Sequence, residues 1–233
     1  MNSAIIVAAG KGTRFGANVP KQFLEICGRA VIIHTLERFE NCAAIDEIIL
    51  VLSSLEIEGF QKKIEKYNSK KSIKIVAGGS TRAASVQNGL RAVDAENTNV
   101  VAIHDGARPL VSVEEIERTI EKASETGAAC LTAKVTDTIK EVFGGAIVGT
   151  IERSKLRRAL TPQCFKFEIL QKAFAPENFD ASATDECYLV EKAGFSIAFV
   201  DGSSRNIKIT TPEDFAVAEI LLGRPESSFN LKY

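Results

Sequence analysis

A chain of 233 residues, 45% hydrophobic and 25% charged, is long enough for one large α/β domain with a sizeable core. Its 29 Lys and Arg against 30 Asp and Glu leave a net charge of -1, which argues against general attraction to nucleic acid or acidic membranes. Five scattered cysteines without a C-x-x-C pair argue against a disulfide framework or a zinc site, and no run approaches the ~18 apolar residues of a membrane span. A cytoplasmic protein is expected, and Met1–Val7 reads as a short strand rather than a leader.

Short apolar runs then alternate with amphipathic stretches. Strands are expected at Ala4–Val7, Glu47–Leu52, Ile73–Val76, Val100–Ile103, Ala128–Ala133 and Ser196–Val200. Helices are expected at Val31–Phe39, Gly59–Tyr67, Thr81–Ala95 and Val113–Glu125. A last helix starts at Pro212, capped by Thr211 with Asp214 three residues on, and runs to about Leu222. Such alternation predicts a Rossmann-like, mostly parallel sheet with helices on both faces. One segment breaks the rhythm: Thr138–Phe143, Gly144-Gly145-Ala146 and Ile147–Arg153 read as an inserted β-hairpin. It is either an arm that a partner subunit covers or an extra pair on the sheet edge.

Four segments carry chemistry. Ala8-Ala9-Gly10-Lys11-Gly12-Thr13-Arg14-Phe15-Gly16 follows the first strand, where open α/β sheets bind ligands. Its third glycine comes one position late for a dinucleotide fingerprint, the second strand ends in Ser53-Ser54 without an acidic residue, and the Walker A pattern is absent. A NAD-dependent oxidoreductase domain is thereby disfavoured. Lys11, Arg14 and the nearby Lys21 suggest phosphoryl chemistry, since cations stabilise charge on transferring phosphorus. Gly78-Gly79 leads into a helix on which Arg82 and Ser85 share a face. His104-Asp105-Gly106-Ala107-Arg108 follows the most apolar strand. Asp105 there suits Mg²⁺, or else anchors Arg108, and His104 is read as structural. Arg153 and Lys208 are candidates for an acceptor phosphate.

Taken together, A-A-G-K-G-T-R-F-G, P-K-Q-F, G-G-S-T-R-A-A-S-V, H-D-G-A-R-P, D-T-I-K, L-T-P-Q-C-F, A-T-D-E and N-I-K-I-T-T-P-E-D, in that order, resemble the 2-C-methyl-D-erythritol 4-phosphate cytidylyltransferases. The related ribitol 5-phosphate cytidylyltransferases share most of these motifs. The resemblance implies one nucleotidyltransferase domain over 1–233, with a dimerisation arm over roughly 137–155 in a homodimer. It implies CTP and a small phosphorylated polyol as substrates, with Mg²⁺ as cofactor. By the same resemblance Arg14 and Lys21 stabilise the transition state, and Arg153 and Lys208 position the acceptor phosphate. Ala8, Ala9, Gly10, Gly79, Ser85 and Asp105 match CTP-binding positions, beside which Lys11, Gly12, Gly78 and Gly106 complete the loops. Thr138 and Arg108 match substrate-side positions. Ser80 departs from the family pattern, which often has an acidic residue there. At this length the second catalytic domain that some relatives carry is not expected.

Overall fold

In a computed structural model the described residues are 1–10, 20–64, 67 and 69–223. The chain opens with β1 (Asn2–Ala8), a 3-10 turn over Lys21–Phe23 and a small hairpin, β2 (Glu25–Ile26) and β3 (Arg29–Ala30). It continues through α1 (Val31–Glu40), β4 (Glu47–Leu52), α2 (Ile57–Ile64), β5 (Ser72–Ala77), α3 (Arg82–Leu90), β6 (Val100–Asp105), α4 (Val113–Thr126) and β7 (Ala128–Lys134). After β8 (Ile139–Phe143) and β9 (Ala146–Ile151) come β10 (Arg157–Lys166), α5 (Phe167–Ala173), α6 (Glu186–Lys192), β11 (Ala198–Asp201) and α7 (Pro212–Gly223).

Seven strands form one sheet in the order β11-β7-β10-β6-β1-β4-β5. All pairings are parallel except those of β10, which runs antiparallel to both β6 and β7. Alternate residues of each strand serve the two faces. Ile6 and Leu50 pack with Ile32, Leu36 and Phe39 of α1 and Ile116 and Ile120 of α4. Ile5, Ile49 and Val51 pack with Val86 of α3, Leu170 of α5 and Leu189 of α6. Burial on both faces is why these strands read as unbroken apolar runs.

Several elements depart from the sequence reading: α2 lies two to three residues earlier than expected, β11 starts later, and α5 and α6 were not foreseen. The helix expected at Thr81–Ala95 is shorter at both ends. Thr81 is its N-cap, its Oγ1 accepting from the Ala84 amide at 3.1 Å. Beyond Leu90 the bonds Ala92 N–H to Gly89 O and Val93 N–H to Leu90 O tighten the chain into i→i+3 turns. Arg153 lies in a separate 3-10 turn, Arg153–Lys155, rather than at the end of the hairpin. The long strand β10 was not foreseen. A register shift between Ala159 and Gln163 interrupts its ladder, and Pro162 falls inside that gap.

The hairpin is as expected: β8 and β9 pair antiparallel with each other, outside the main sheet. Gly144 and Gly145 turn it with φ of 57° and 81°, a left-handed pair that favours glycine.

Candidate active site

The chain runs from β1 outward through β4 to β5, then returns to the other side of β1 as β6. Such a reversal opens a crevice at the carboxyl ends of the two central strands. A cavity of about 670 Å³ lies there, lined by Val7–Gly10 after β1, Gly79–Arg82 and Ser85 around the start of α3, Asp105 and Ala107 after β6, and Lys21, Gln22, Lys208 and Thr210. The size suits a small-molecule ligand.

Close backbone packing shapes its floor. A Cβ on Gly78 would stand 2.3 Å from the Ala9 Cβ, and one on Gly79 would stand 2.6 Å from the Ala84 Cβ. The loops after β1 and β5 therefore approach more closely than side chains allow. Gln22, 3% exposed, ties the first loop down: its Nε2 donates to Ala8 O at 2.7 Å and to Gly10 O at 3.1 Å. Ser85 Oγ donates to Thr81 O at 2.8 Å and accepts from the Gly79 amide at 3.1 Å. The fourth wall arrives from far along the chain, where the Ile209 amide donates to Ala107 O at 2.9 Å. Lys21 Nζ in turn donates to Ile209 O.

Asp105 is the electrostatic centre. Its Oδ1 takes Arg82 Nε at 3.1 Å, and its Oδ2 takes Lys208 Nζ at 2.9 Å and Arg108 Nε at 3.5 Å. Burial alone would raise its pKa, but Arg82, Lys208 and Arg108 outweigh burial and hold the carboxyl well below its ordinary range. Arg82 is shared with Glu186. Burial opposes its charge, and the two carboxylates overcome that to raise its pKa. His104 is buried, and that burial lowers its pKa to about 3, so the ring is neutral. Its Nε2 must donate to Arg108 O at 3.1 Å, which leaves Nδ1 to accept from the Thr161 hydroxyl at 3.0 Å. With both nitrogens used, His104 is structural, as its sequence context suggested. Among the described residues, three cationic side chains (Lys21, Arg82, Lys208) line the cavity against one acidic one.

A glycine-lined, cation-rich crevice at this switch point fits phosphate esters. The sequence profile of the 2-C-methyl-D-erythritol 4-phosphate cytidylyltransferase family matches residues 2–224. The chain belongs to this family. A protein of that name from Bacillus licheniformis is 46% identical over 224 residues, covering 95% of this chain and 96% of the relative. One from Alkaliphilus metalliredigens is 44% identical over 225 residues, covering 95% and 93%. A crystal structure of 4-diphosphocytidyl-2C-methyl-D-erythritol synthase from Anaerococcus prevotii aligns with a TM-score of 0.84 at 31% identity over 96% of both chains. One of 2-C-methyl-D-erythritol 4-phosphate cytidylyltransferase from Thermus thermophilus aligns with a TM-score of 0.75 at 30% identity, covering 96% of this chain and 100% of the other. Family membership displaces the oxidoreductase alternative.

Of the residues singled out in sequence, Ala8, Ala9, Gly10, Lys21, Gly79, Ser85, Asp105 and Lys208 line the cavity together. Gly78 and Gly106 back it without lining it: a Cβ on Gly106 would lie 2.9 Å from the Ala8 Cβ. Arg108 sits behind Asp105, its Nη1 donating to Asn206 O at 2.8 Å. Asp105 therefore anchors Arg108 and also lines the cavity. Thr138 and Arg153 are exposed and outside the cavity, with Arg153 Nη1 donating to Thr136 O at 2.6 Å. Within one chain Arg153 and Lys208 are not brought together, because Arg153 follows a hairpin that pairs with nothing else in the sheet. Lys11, Gly12 and Arg14 lie outside the described residues. The sequence reading gave no role to Gln22, Arg82 or Glu186. Gln22 and Arg82 stood inside quoted motifs; Glu186 gave no signal beyond its place in A-T-D-E.

Proposed function

We propose that this chain joins CTP and 2-C-methyl-D-erythritol 4-phosphate to give 4-diphosphocytidyl-2-C-methyl-D-erythritol and pyrophosphate. One observation carries the reading for a member of this family: Lys21, Arg82 and Lys208 converge on one cavity at the carboxyl ends of β1 and β6. An oxygen of the acceptor phosphate attacks the α-phosphorus of CTP, and the bond from that phosphorus to the bridging oxygen of the β-phosphate breaks. The second pKa of a phosphate monoester is about 6, so the nucleophile is already ionised at neutral pH. No general base is needed, which agrees with a neutral, fully bonded His104.

The work left to the protein is charge cancellation and in-line placement. Lys21 and Arg14 neutralise the transferring phosphoryl group, and Lys208 receives the acceptor phosphate. Ala8, Ala9 and Gly10 cradle the nucleotide, Gly78, Gly79 and Gly106 line or back that cradle, and Lys11 and Gly12 are assigned to the same binding set. The Ser85 hydroxyl spends its proton on Thr81 O and one lone pair on the Gly79 amide. Towards a base it is left an acceptor, which suits the exocyclic amino group of cytosine and not the carbonyl of uracil. Mg²⁺ fits as cofactor because Asp105 is the one acidic side chain among the described lining residues, and Mg²⁺ is commonly held by one or two carboxylates plus substrate phosphates. When bound it would neutralise phosphate charge. Among the described residues no cluster of three or more His, Cys, Asp or Glu forms a protein cage for it.

The hairpin is read as the arm of a homodimer, carrying Thr138 and Arg153 to the partner's cavity. The whole chain is read as one nucleotidyltransferase domain working in the cytoplasm, a setting that five free thiols suit. The test is pyrophosphate release from CTP with Mg²⁺, with 2-C-methyl-D-erythritol 4-phosphate and ribitol 5-phosphate compared as acceptors. Turnover with the first alone is expected; equal or faster turnover with ribitol 5-phosphate overturns the acceptor assignment.

A further inference from the structure

Arg82 stands between two carboxylates. Its Nε donates to Asp105 Oδ1 at 3.1 Å and its Nη1 to Glu186 Oε1 at 2.5 Å. Glu186 is 1% exposed and opens α6. The helix start is pinned to β10 by one side chain: Gln163 Oε1 accepts the amides of Glu186 and Cys187, each at 3.1 Å, while its Nε2 donates to Asp185 Oδ2 at 3.0 Å. A bonded path thus runs from the central sheet through α6 and Arg82 to the acid of the cavity.

We propose that Glu186 is a positioning residue for nucleotidyl transfer, holding Arg82 on one edge so that Asp105 keeps its Oδ2 turned to Lys208. The inference rests on the transfer reading of the cavity given above. The two oxygens of Asp105 meet different groups, Oδ1 facing Arg82 and Oδ2 facing Lys208 and Arg108. A guanidinium opposite a single carboxylate favours a two-pronged contact with both oxygens. Glu186, by holding Nη1, fixes the guanidinium plane so that Nε alone meets Asp105 and the Nε–Nη2 edge is kept off its second oxygen. Without that charge, Arg82 would close on both Asp105 oxygens and draw Oδ2 away from Lys208. Stability alone is a poor reason for a carboxylate here. Burial raises the Glu186 pKa against the pull of Arg82, and buried ion pairs are often no better than apolar packing. Glu186 Oε2 is also buried without a hydrogen-bond partner.

Glu186→Gln keeps the shape but removes the charge, leaving Nη1 only a neutral amide oxygen, a bond about half as strong as the charge-assisted one, so that Arg82 turns to the remaining charge on Asp105. The expected result is a fall in kcat of about tenfold or more, as for other groups that orient a site from behind. KM for CTP should stay within about threefold, since no contact to the nucleotide is lost. A melting temperature unchanged within about 2 °C would separate positioning from a stability role. If Glu186 acts only through Arg82, Arg82→Met/Glu186→Met loses no more kcat than Arg82→Met alone. A ligand-free crystal structure of E186Q should show Arg82 on both Asp105 oxygens and Lys208 off Oδ2. Wild-type kcat in E186Q, additive losses in the double variant, or an Asp105 carboxylate that does not turn would each overturn the proposal. A wild-type enzyme inactive on 2-C-methyl-D-erythritol 4-phosphate counts against the acceptor reading instead, and the E186Q crystal structure then decides the positioning role.

Discussion

Lys21 reaches the cavity from a 3-10 turn whose next residue, Gln22, is bonded to the loop after β1. On the proposed transfer reading, a cation on so firmly held a turn would be preorganised for charge that develops in the transition state. Lys21→Ala is therefore expected to lower kcat by about 10²–10³-fold while KM for CTP moves only a few-fold. Steady-state kinetics of the variant would read this, and an unchanged kcat would remove Lys21 from the catalytic set. Lys21 was legible in sequence because it follows the glycine loop so closely, and Asp105 because it ends the most apolar strand. Arg82 and Glu186 were not. They are 104 residues apart in sequence, and neither carries a local pattern that foretells an ion pair.

At the scale of elements, the cavity depends on two strand-end loops that touch at Ala9 and Gly78. Gly78→Ala would place a Cβ 2.3 Å from that of Ala9, with Leu52 O at 3.4 Å on its other side. Something must move, and both loops that could yield bound the cavity. Overpacking of this kind costs about 1–3 kcal/mol. Urea denaturation should show that loss, and KM for CTP should rise about tenfold, equivalent to ~1.4 kcal/mol of binding. Wild-type KM in G78A would mean that the two loops do not share the nucleotide. The strand before the first loop, β1, was foreseen because a buried parallel strand is a continuous apolar run, and β5, at the sheet edge, because Ile73, Ile75 and Val76 mark it. Strand β10 escaped because Pro162 and the register shift hide its pattern, although it carries Thr161 and Gln163, which anchor Asp105 and α6.

At the scale of the whole molecule, the β8–β9 arm presents Val142, Phe143 and Ile147 at 67%, 80% and 66% exposure. A two-stranded ribbon is marginal in water, and this one shows apolar side chains to solvent. In a two-fold dimer the arm of each chain would serve the cavity of the other. Mixing R153A with K21A chains then creates hybrids with one intact site. With half of the dimers hybrid, about a quarter of wild-type activity per chain should return. No recovery after verified subunit exchange would place Arg153 in the cavity of its own chain or outside the reaction. By itself the sequence determined the parallel α/β architecture, the hairpin, the Gly78-Gly79 loop and the place of Lys21 beside the first strand, because short-range periodicity and local turn chemistry encode them. Only the tertiary structure decided that β10 splits β6 from β7, that Lys208 meets Asp105, and that Arg82 bridges Asp105 to Glu186. Those are contacts between segments tens of residues apart, set by how the sheet closes its core rather than by any pattern along the chain.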